Sequence, residues 1–443
     1  MVGSGCVLVL FCGFGGFLMI ARMFREDSAM LPSDMELAHQ RGLPVTFADL
    51  RKLTAAVPDS LNAAPIYLKA MRELQKLPEN QVRELWIGRN PSIEQRQRRA
   101  RAIESFQPTL RILERANDLP YCVYRDEFSE SENVWTIWHK ITSADGPILR
   151  DASAYIGAEA QMKVVQKDFA GAFRDLTTLI ALARHSGEYN RLSRSSALGF
   201  DQTGIFNQLR WIASRNPTDM AVLSQVEHLA SQLNPPDIYK AIQTDFVYAF
   251  ETIGRTKNLE EIGLDKNTPA VFNRAVNTLY QTPGVRDGFK ANLLKTYLRA
   301  FAALPKRSDD WLAVYAALKQ IDKSIADDQT VDNVLTKAVL WLPPIPPLIF
   351  AWATMQKRLV LEGVAVLRQY HATGKFPAAL PIVGDTSINP FWGDPLEYRV
   401  EGKEFSITAR GRDFGKDGPQ FTKRDIVFRF PPRREPPRSR QSY

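Results

Sequence analysis

Apolar side chains recur three and four residues apart over most of this 443-residue chain, and they alternate with polar ones only near its C-terminal end. The first pattern predicts amphipathic helices, whereas alternation predicts strands. The sequence therefore predicts a mainly α protein with a large helical body over 47–340. The predicted helices span 47–57, 62–74, 93–117, 149–185, 203–214, 220–233, 236–253, 272–280, 288–304, 309–325 and 355–371.

Near the C-terminus, the alternating residues form three short groups that predict antiparallel strands. They are Leu396, Tyr398 and Val400, then Phe405, Ile407 and Ala409, then Ile426, Phe428 and Phe430. The preceding helix is expected to end at Gly374, a residue that often terminates helices. Packing of that helix on the sheet would bury both apolar faces, which predicts a small α+β domain over 355–430.

Residues 2–21 carry no charge and are long enough to cross a hydrocarbon core of ~30 Å. We predict a transmembrane anchor or signal over 1–24. An uncleaved single-pass anchor is favoured because no Ala-x-Ala-like cleavage site follows the apolar run. Arg22 and Arg25 follow the run, and the positive-inside rule alone would place the body in the cytoplasm. A start upstream of Met1 would weaken that argument.

Three segments are predicted to lack regular structure. Residues 25–46, which contain Pro32 and Pro44, are expected to form an irregular linker. Residues 341–354 hold four prolines and are expected to form a buried apolar connector that is not helical between Pro343 and Pro347. Residues 431–443 are expected to be a disordered basic tail, for which binding of anionic lipid or nucleic acid is the alternative. No basic stripe interleaved with aromatic residues predicts a specific nucleic-acid partner.

Candidate catalytic residues are absent from the sequence patterns. The five histidines are dispersed, and there is no nucleophile elbow, phosphate-binding loop or dinucleotide fingerprint. The body contains one cysteine, Cys122, in an apolar setting that predicts a buried, inert thiol. We therefore predict no catalytic and no cofactor-binding residues. An enzyme of unrecognised class would need a polar pocket with perturbed carboxylates in the helical body.

The segment from Gln166 to Leu176 resembles the turn and second helix of a tetratricopeptide-like hairpin. No repeat of ~34 residues accompanies it, so a helical domain without repeats is at least as well supported.

The C-terminal segment 374–430 also carries a family resemblance. It is similar to the C-terminal domain of the major pseudopilin of type II secretion, which also occurs at the end of membrane-anchored bacterial proteins with helical bodies. The matching residues are Gly374, Phe376, Pro377, Leu380, Pro390, Trp392, Gly393, Pro395, Tyr398, Gly411, Asp413, Asp425 and Ile426.

The resemblance implies a calcium site, because the late loop of that family binds calcium. Asp413, Asp417 and Asp425 would supply the carboxylates, together with backbone carbonyls and water, toward the ~6–8 oxygen ligands that calcium takes. The alternative is that Asp413 and Asp417 only stabilise turns through their own backbone.

This chain departs from the family pattern in three places. Asn389 stands where the family usually has Asp, and Phe414 stands where Gly or Asn often follows Asp413. The segment after Gly13-Phe14 lacks the early Glu that pilin assembly uses. A processed filament subunit is therefore not expected.

These features together lead us to expect a membrane-anchored structural or protein-binding scaffold, with the membrane contacted through residues 2–21 and a protein as partner. We expect a single-pass protein of the bacterial inner membrane with an extracytoplasmic body. One alternative is an accessory component of a type II secretion or pilus-like system, and another is an enzyme of unrecognised class.

Overall fold

The computed structural model describes residues 22, 26–54, 57–78, 92–123, 146–185, 192–234, 237–255, 278, 280–281, 284–307, 310–327, 345–381, 384–414 and 420–431. Its helices are α1 (26–40), α2 (Phe47–Thr54), α3 (Ala64–Leu74), α4 (Ile93–Leu113), α5 (Gly146–Val165), α6 (Phe169–His185), α7 (Leu192–Arg215), α8 (Met220–Gln232), α9 (Ile238–Arg255), α10 (Val285–Ala303), α11 (Trp311–Asp327) and α12 (Ile345–Thr373). Its strands are β1 (Glu397–Glu401), β2 (Glu404–Ala409) and β3 (Ile426–Phe430). A mainly helical chain with a small antiparallel sheet near its C-terminus is thus confirmed.

The described residues form two compact units. The first contains α1, α2, α10, α11 and α9 from Tyr239 onward, and the second contains α3–α8, α12 and the sheet. The sequence divided the chain differently, with one helical body over 47–340 and a separate domain over 355–430. In the structure, helices from both segments share the second unit.

In the first unit, the expected irregular linker over 25–46 is helical at residues 26–40. Leu31 and Ala38 of α1 are buried, and Asp27 pairs with Lys295 of α10 at 2.6 Å. These distant contacts stabilise a helix that contains Pro32, which the local sequence disfavours. Tertiary packing therefore overrides the local signal here.

Aromatic rings fill the core of the first unit. Phe246 stacks on Tyr297 with ring centroids 3.6 Å apart, and Phe47 of α2 meets the Tyr248 ring edge-on at 5.1 Å. Leu50 of α2 is buried, whereas Leu53, one turn further along the helix, is 49% exposed.

In the second unit, α5 and α6 form a helical hairpin, as expected for the turn after Gln166. Asp168 begins α6, since its carboxylate accepts the backbone N–H of Gly171 at 2.9 Å. Apolar residues that recur at helical spacing on α6 are buried, namely Phe173, Leu176, Leu179 and Leu182.

Helix α12 begins within the segment that was expected to be a non-helical connector. Pro346 and Pro347 occupy its first turn, where a helix leaves backbone N–H groups without intrahelical partners, so two missing N–H groups cost little. The burial expected for this segment is confirmed at residues 348–353. From there α12 packs along α7 and α8 and across the sheet.

The sheet has the order β1-β2-β3 and is antiparallel throughout, which confirms the predicted hairpin and third strand. Gly363 of α12 permits close contact with it, because a Cβ at this position would lie 2.5 Å from the ring of Phe428. Phe428 in turn stacks on Phe405 at 5.8 Å. Val400 departs from the predicted buried face and is 42% exposed.

Within the described residues, no helix has the length and apolar character needed to cross a membrane. The predicted anchor over residues 2–21 lies outside the described residues, and of the predicted helix over 272–280 only residues 278 and 280 are described.

Candidate functional site

The loop between α12 and β1 is closed by a buried amide, that of Asn389. Its Nδ2 donates to the carbonyl oxygen of Arg410 at 2.9 Å, and its Oδ1 accepts the backbone N–H of Phe391 at 2.9 Å. The backbone N–H of Asn389 also donates to the carbonyl of Asp394 at 2.7 Å. An aspartate could not donate to Arg410, so the departure from the family pattern at this position matches the hydrogen bonds that the loop makes.

This closed loop presents an exposed tryptophan. The Trp392 side chain is 48% exposed, and its Nε1–H donates to the carbonyl of Gly411 at 3.1 Å. The guanidinium carbons of Arg410 and Arg412 lie 5.7 and 4.9 Å from the centroid of its ring. The carbon of Arg412 also lies 5.3 Å from the ring of Phe414. We call Trp392, Arg410, Arg412 and Phe414 the Trp392 surface.

The segment that carries the two arginines is held by close contacts with the backbone of Thr422 and Arg424. Gly411 is so close to the carbonyl oxygens of Thr422 and Arg424 that a Cβ would approach each to 2.6 Å. The backbone N–H of Arg412 donates to the Thr422 carbonyl at 2.6 Å. Phe391 is fully buried and meets the ring of Phe414 edge-on at 5.6 Å. Backbone contacts and the packing of Phe391 therefore hold the residues of the Trp392 surface in place.

Two of the three predicted calcium ligands lie next to this surface. Asp425 Oδ1 accepts the backbone N–H of Gly411 at 2.9 Å, and Asp413 Oδ2 pairs with Lys423 Nζ at 3.1 Å. Asp417 lies outside the described residues. In the described part of the chain, no group of three His, Cys, Asp or Glu side chains could hold a metal ion. The calcium site stays a prediction.

A second polar centre is buried in the helical part of the same unit. His185 Nε2 lies 2.6 Å from the carbonyl oxygen of Leu119, which can only accept, so this nitrogen carries the proton. The other nitrogen, Nδ1, then accepts the Tyr67 hydroxyl at 2.5 Å. Desolvation lowers the pKa of His185 to about 4, and burial raises the pKa of Tyr67 well above its usual value. Both groups are therefore neutral at pH 7.

The segment that contains Cys122 closes this centre. The side chain of Asn62 accepts the backbone N–H of Val123 and donates to its carbonyl, both at 2.8 Å. Arg184 donates to the carbonyls of Asn117 and Leu119. Cys122 is buried and forms no disulfide, and its burial agrees with the prediction. These hydrogen bonds connect the backbone of residues 117–123 to Asn62, which precedes α3, and to α6, so they stabilise the packing of this segment.

A third polar centre joins α5 to α6. Lys163 Nζ lies 2.7 Å from Glu159 Oε1 and 2.8 Å from Asp175 Oδ1, and Gln107 donates to Glu159 at 2.7 Å. Desolvation raises the pKa of Asp175 to about 6, although its hydrogen bond with Lys163 acts in the opposite direction. Burial would lower the pKa of Lys163, but its two carboxylate partners raise it.

Asp175 is the perturbed carboxylate that an enzyme would need, but its surroundings do not suit catalysis. Its side chain is 1% exposed, so a substrate has no direct access to it. A cavity beside Tyr67 and Thr109 has a volume of about 10 Å³ and an apolar lining. This volume is at the lower limit of the ~10–15 Å³ that one water needs, and it excludes a small-molecule substrate from that cavity.

Sequence reasoning missed most of these groupings. Trp392 was identified only through the family resemblance, and the two arginines beside it were not identified. Tyr67 and His185 are 118 residues apart, and no local signal connects them. A tryptophan in a polar loop was the one local sign of an exposed aromatic site.

Comparison of this chain with known proteins leaves its family open: no protein-family model, curated protein or solved structure matches it.

Proposed function

We propose that this protein is a membrane-anchored scaffold of the bacterial inner membrane that binds another protein through the Trp392 surface. The anchor would be residues 2–21, and the helical body would lie on the extracytoplasmic side. The observation that carries the protein-binding part is the half-exposed ring of Trp392 between two arginines. Tryptophan and arginine are the side chains that most often dominate binding energy at protein interfaces.

Three features of the surface support this assignment. Trp392 is held in place by its hydrogen bond to Gly411, so little side-chain freedom is lost on binding. The loop is closed by a buried Asn389, which adds rigidity. The polar centres at His185 and Asp175 are buried, and both ring nitrogens of His185 and Oδ1 of Asp175 have partners within the chain, which supports a role in stabilising the helical part.

The test is co-purification of the full chain from detergent-solubilised membranes, compared with Trp392→Ala and a matched control, Val400→Ala. Val400 is a similarly exposed apolar residue at the hairpin end of β1. A partner should be retained by the wild type and by Val400→Ala, and lost from Trp392→Ala. Equal recovery with all three chains would contradict the assignment of the surface. Recovery of no protein above the background of empty membranes would contradict the scaffold function.

A second candidate function is that of an accessory component in a type II secretion or pilus-like system. The observation in its favour is a C-terminal helix packed on three antiparallel strands, which is the arrangement expected from the pseudopilin resemblance. This is an analogy of fold, and a fold alone does not specify function. Deletion of the gene should then reduce secretion of a type II substrate, whereas unchanged secretion would count against this function.

A further inference from the structure

We propose that Arg412 is the specificity residue of the Trp392 surface, and that it binds an Asp or Glu carboxylate of the partner protein beside an apolar side chain. This inference rests on the proposed protein-binding function.

Arg412 is held in position before any partner arrives. Its guanidinium carbon lies 4.9 Å from the Trp392 ring and 5.3 Å from the Phe414 ring, so two aromatic rings hold one cation. Its Nη1 donates to the carbonyl of Phe391 at 2.9 Å. A planar guanidinium with fixed orientation loses little freedom when it forms two parallel hydrogen bonds to a carboxylate.

The cations that neighbour Arg412 have carboxylate partners within the chain. Arg410 pairs with Asp394 and lies 3.5 Å from Glu397, and Lys423 pairs with Asp413. Within the described residues, no carboxylate forms an ion pair with Arg412, and one of its five N–H groups donates to a protein acceptor. A carboxylate from a partner would provide the missing charge.

The neighbouring acidic residues limit which anions fit. Asp413 follows Arg412 in the sequence and pairs with Lys423, and Asp394 and Glu397 lie against Arg410, so carboxylates are present in the same region as Arg412. A polyanion such as nucleic acid or an anionic membrane would meet these carboxylates along with Arg412, and like charges at close range are costly. A single carboxylate avoids this repulsion. The exposed Trp392 ring beside it offers an apolar contact, so the fitting ligand is an acidic residue next to an aliphatic or aromatic one.

The test starts with a random peptide library displayed on phage and selected on the purified full-length chain in detergent, with counter-selection on Trp392→Ala. Enriched peptides should share an Asp or Glu adjacent to an apolar residue. One such peptide, titrated by fluorescence anisotropy, should bind at least about tenfold more weakly to Arg412→Gln. Arg412→Lys should recover only part of the affinity, because a lysine lacks the planar fork.

Arg399→Gln is the matched control for loss of positive charge. Arg399 lies on β1 with a side chain that is 72% exposed, and its removal should change the affinity by less than about twofold. Unchanged melting temperatures would show that each variant is folded.

The inference is overturned if the enriched peptides lack a common carboxylate, if they bind equally after Asp or Glu is replaced by Asn or Gln, or if Arg399→Gln weakens binding as much as Arg412→Gln. It is also overturned if no Trp392-dependent peptide is enriched. Any of these results, together with a partner that still co-purifies in a Trp392-dependent way, would leave the protein-binding function standing without the role of Arg412.

Discussion

Lys163 and Arg412 are two cations in the same unit, and each is held by two neighbours. Lys163 lies between the carboxylates of Glu159 and Asp175, which are 5% and 1% exposed. Arg412 lies between the rings of Trp392 and Phe414, beside an indole that is half exposed. The charge of Lys163 is compensated by these two carboxylates, whereas no carboxylate among the described residues forms an ion pair with Arg412.

This difference separates stabilisation from recognition. A cation between buried carboxylates cannot be removed without leaving uncompensated charge in the interior, so its loss should affect folding. Removal of a cation that contacts the half-exposed ring of Trp392 should cost the free protein little stability, so its loss should mainly affect binding. Residues of similar type thus have opposite expected effects because their neighbours and their burial differ.

The largest expected effect is that of Lys163→Met. It keeps most of the volume of the side chain but leaves Glu159 and Asp175 without their cation, and we expect the free energy of unfolding to fall by about 3–5 kcal/mol. Urea denaturation measures this loss. The control is Lys76→Met, which breaks an exposed pair with Glu73 and should cost less than about 1 kcal/mol. Equal losses in the two variants would show that burial does not distinguish these ion pairs.

The next largest expected effect concerns how the free energy of unfolding depends on pH. His185 and Asp175 change this dependence in opposite directions. The pKa of His185 is about 4 in the folded chain, below its ordinary 6.5, so the unfolded chain binds more protons between these values. Acidification through this window therefore destabilises the fold. The pKa of Asp175 is about 6, above its ordinary 3.8, so the folded chain binds more protons and acidification stabilises it. Each contribution is about 3 kcal/mol, and in the wild type they oppose each other.

Two variants separate these contributions. His185→Gln can keep both hydrogen bonds, to Leu119 and Tyr67, without a titrating group. Between pH 7 and pH 4, the wild type should lose about 3 kcal/mol of stability relative to His185→Gln. Over the same range it should gain about 3 kcal/mol relative to Asp175→Asn. Urea denaturation at each pH provides the comparison, and parallel profiles for all three chains would contradict both assignments.

The smallest expected effect on stability is that of Trp392→Ala. Its ring is half exposed, so we expect the free energy of unfolding to change by no more than about 1 kcal/mol, even though partner binding is lost. The adjacent Phe391 is fully buried, and Phe391→Ala should cost about 3–5 kcal/mol. Thermal denaturation compares the two. A large destabilisation by Trp392→Ala would mean that the surface has a structural role.

The predicted elements were most accurate where the local pattern and the tertiary packing agree. Alternation of apolar and polar residues predicted the hairpin of β1 and β2 and the third strand. In the structure, Phe405, Ile407 and Phe428 of this pattern are buried. The end of α12 was predicted from Gly374, which has a φ of 70°.

Two errors in the predicted helices occurred at prolines. Pro32 lies within helical residues 26–40, and Pro346 and Pro347 lie in the first turn of α12. The sequence analysis placed Pro65 and Pro108 within predicted helices but took Pro32 and the prolines from Pro343 to Pro347 to exclude a helix. The actual cost of a proline in a helix depends on whether an N–H is needed at that position and on which distant residues pack there.

Sequence alone determined the helical class, the strands at the end of the chain and the absence of a recognisable catalytic motif, because these depend on spacing over a few residues. Only the tertiary structure placed Trp392 against Arg412, His185 against Tyr67 and Lys163 against Asp175. Each pair joins residues on different elements. Their distance and burial are set by how those elements pack, and these two quantities decide whether a polar group stabilises the fold or remains available to a partner.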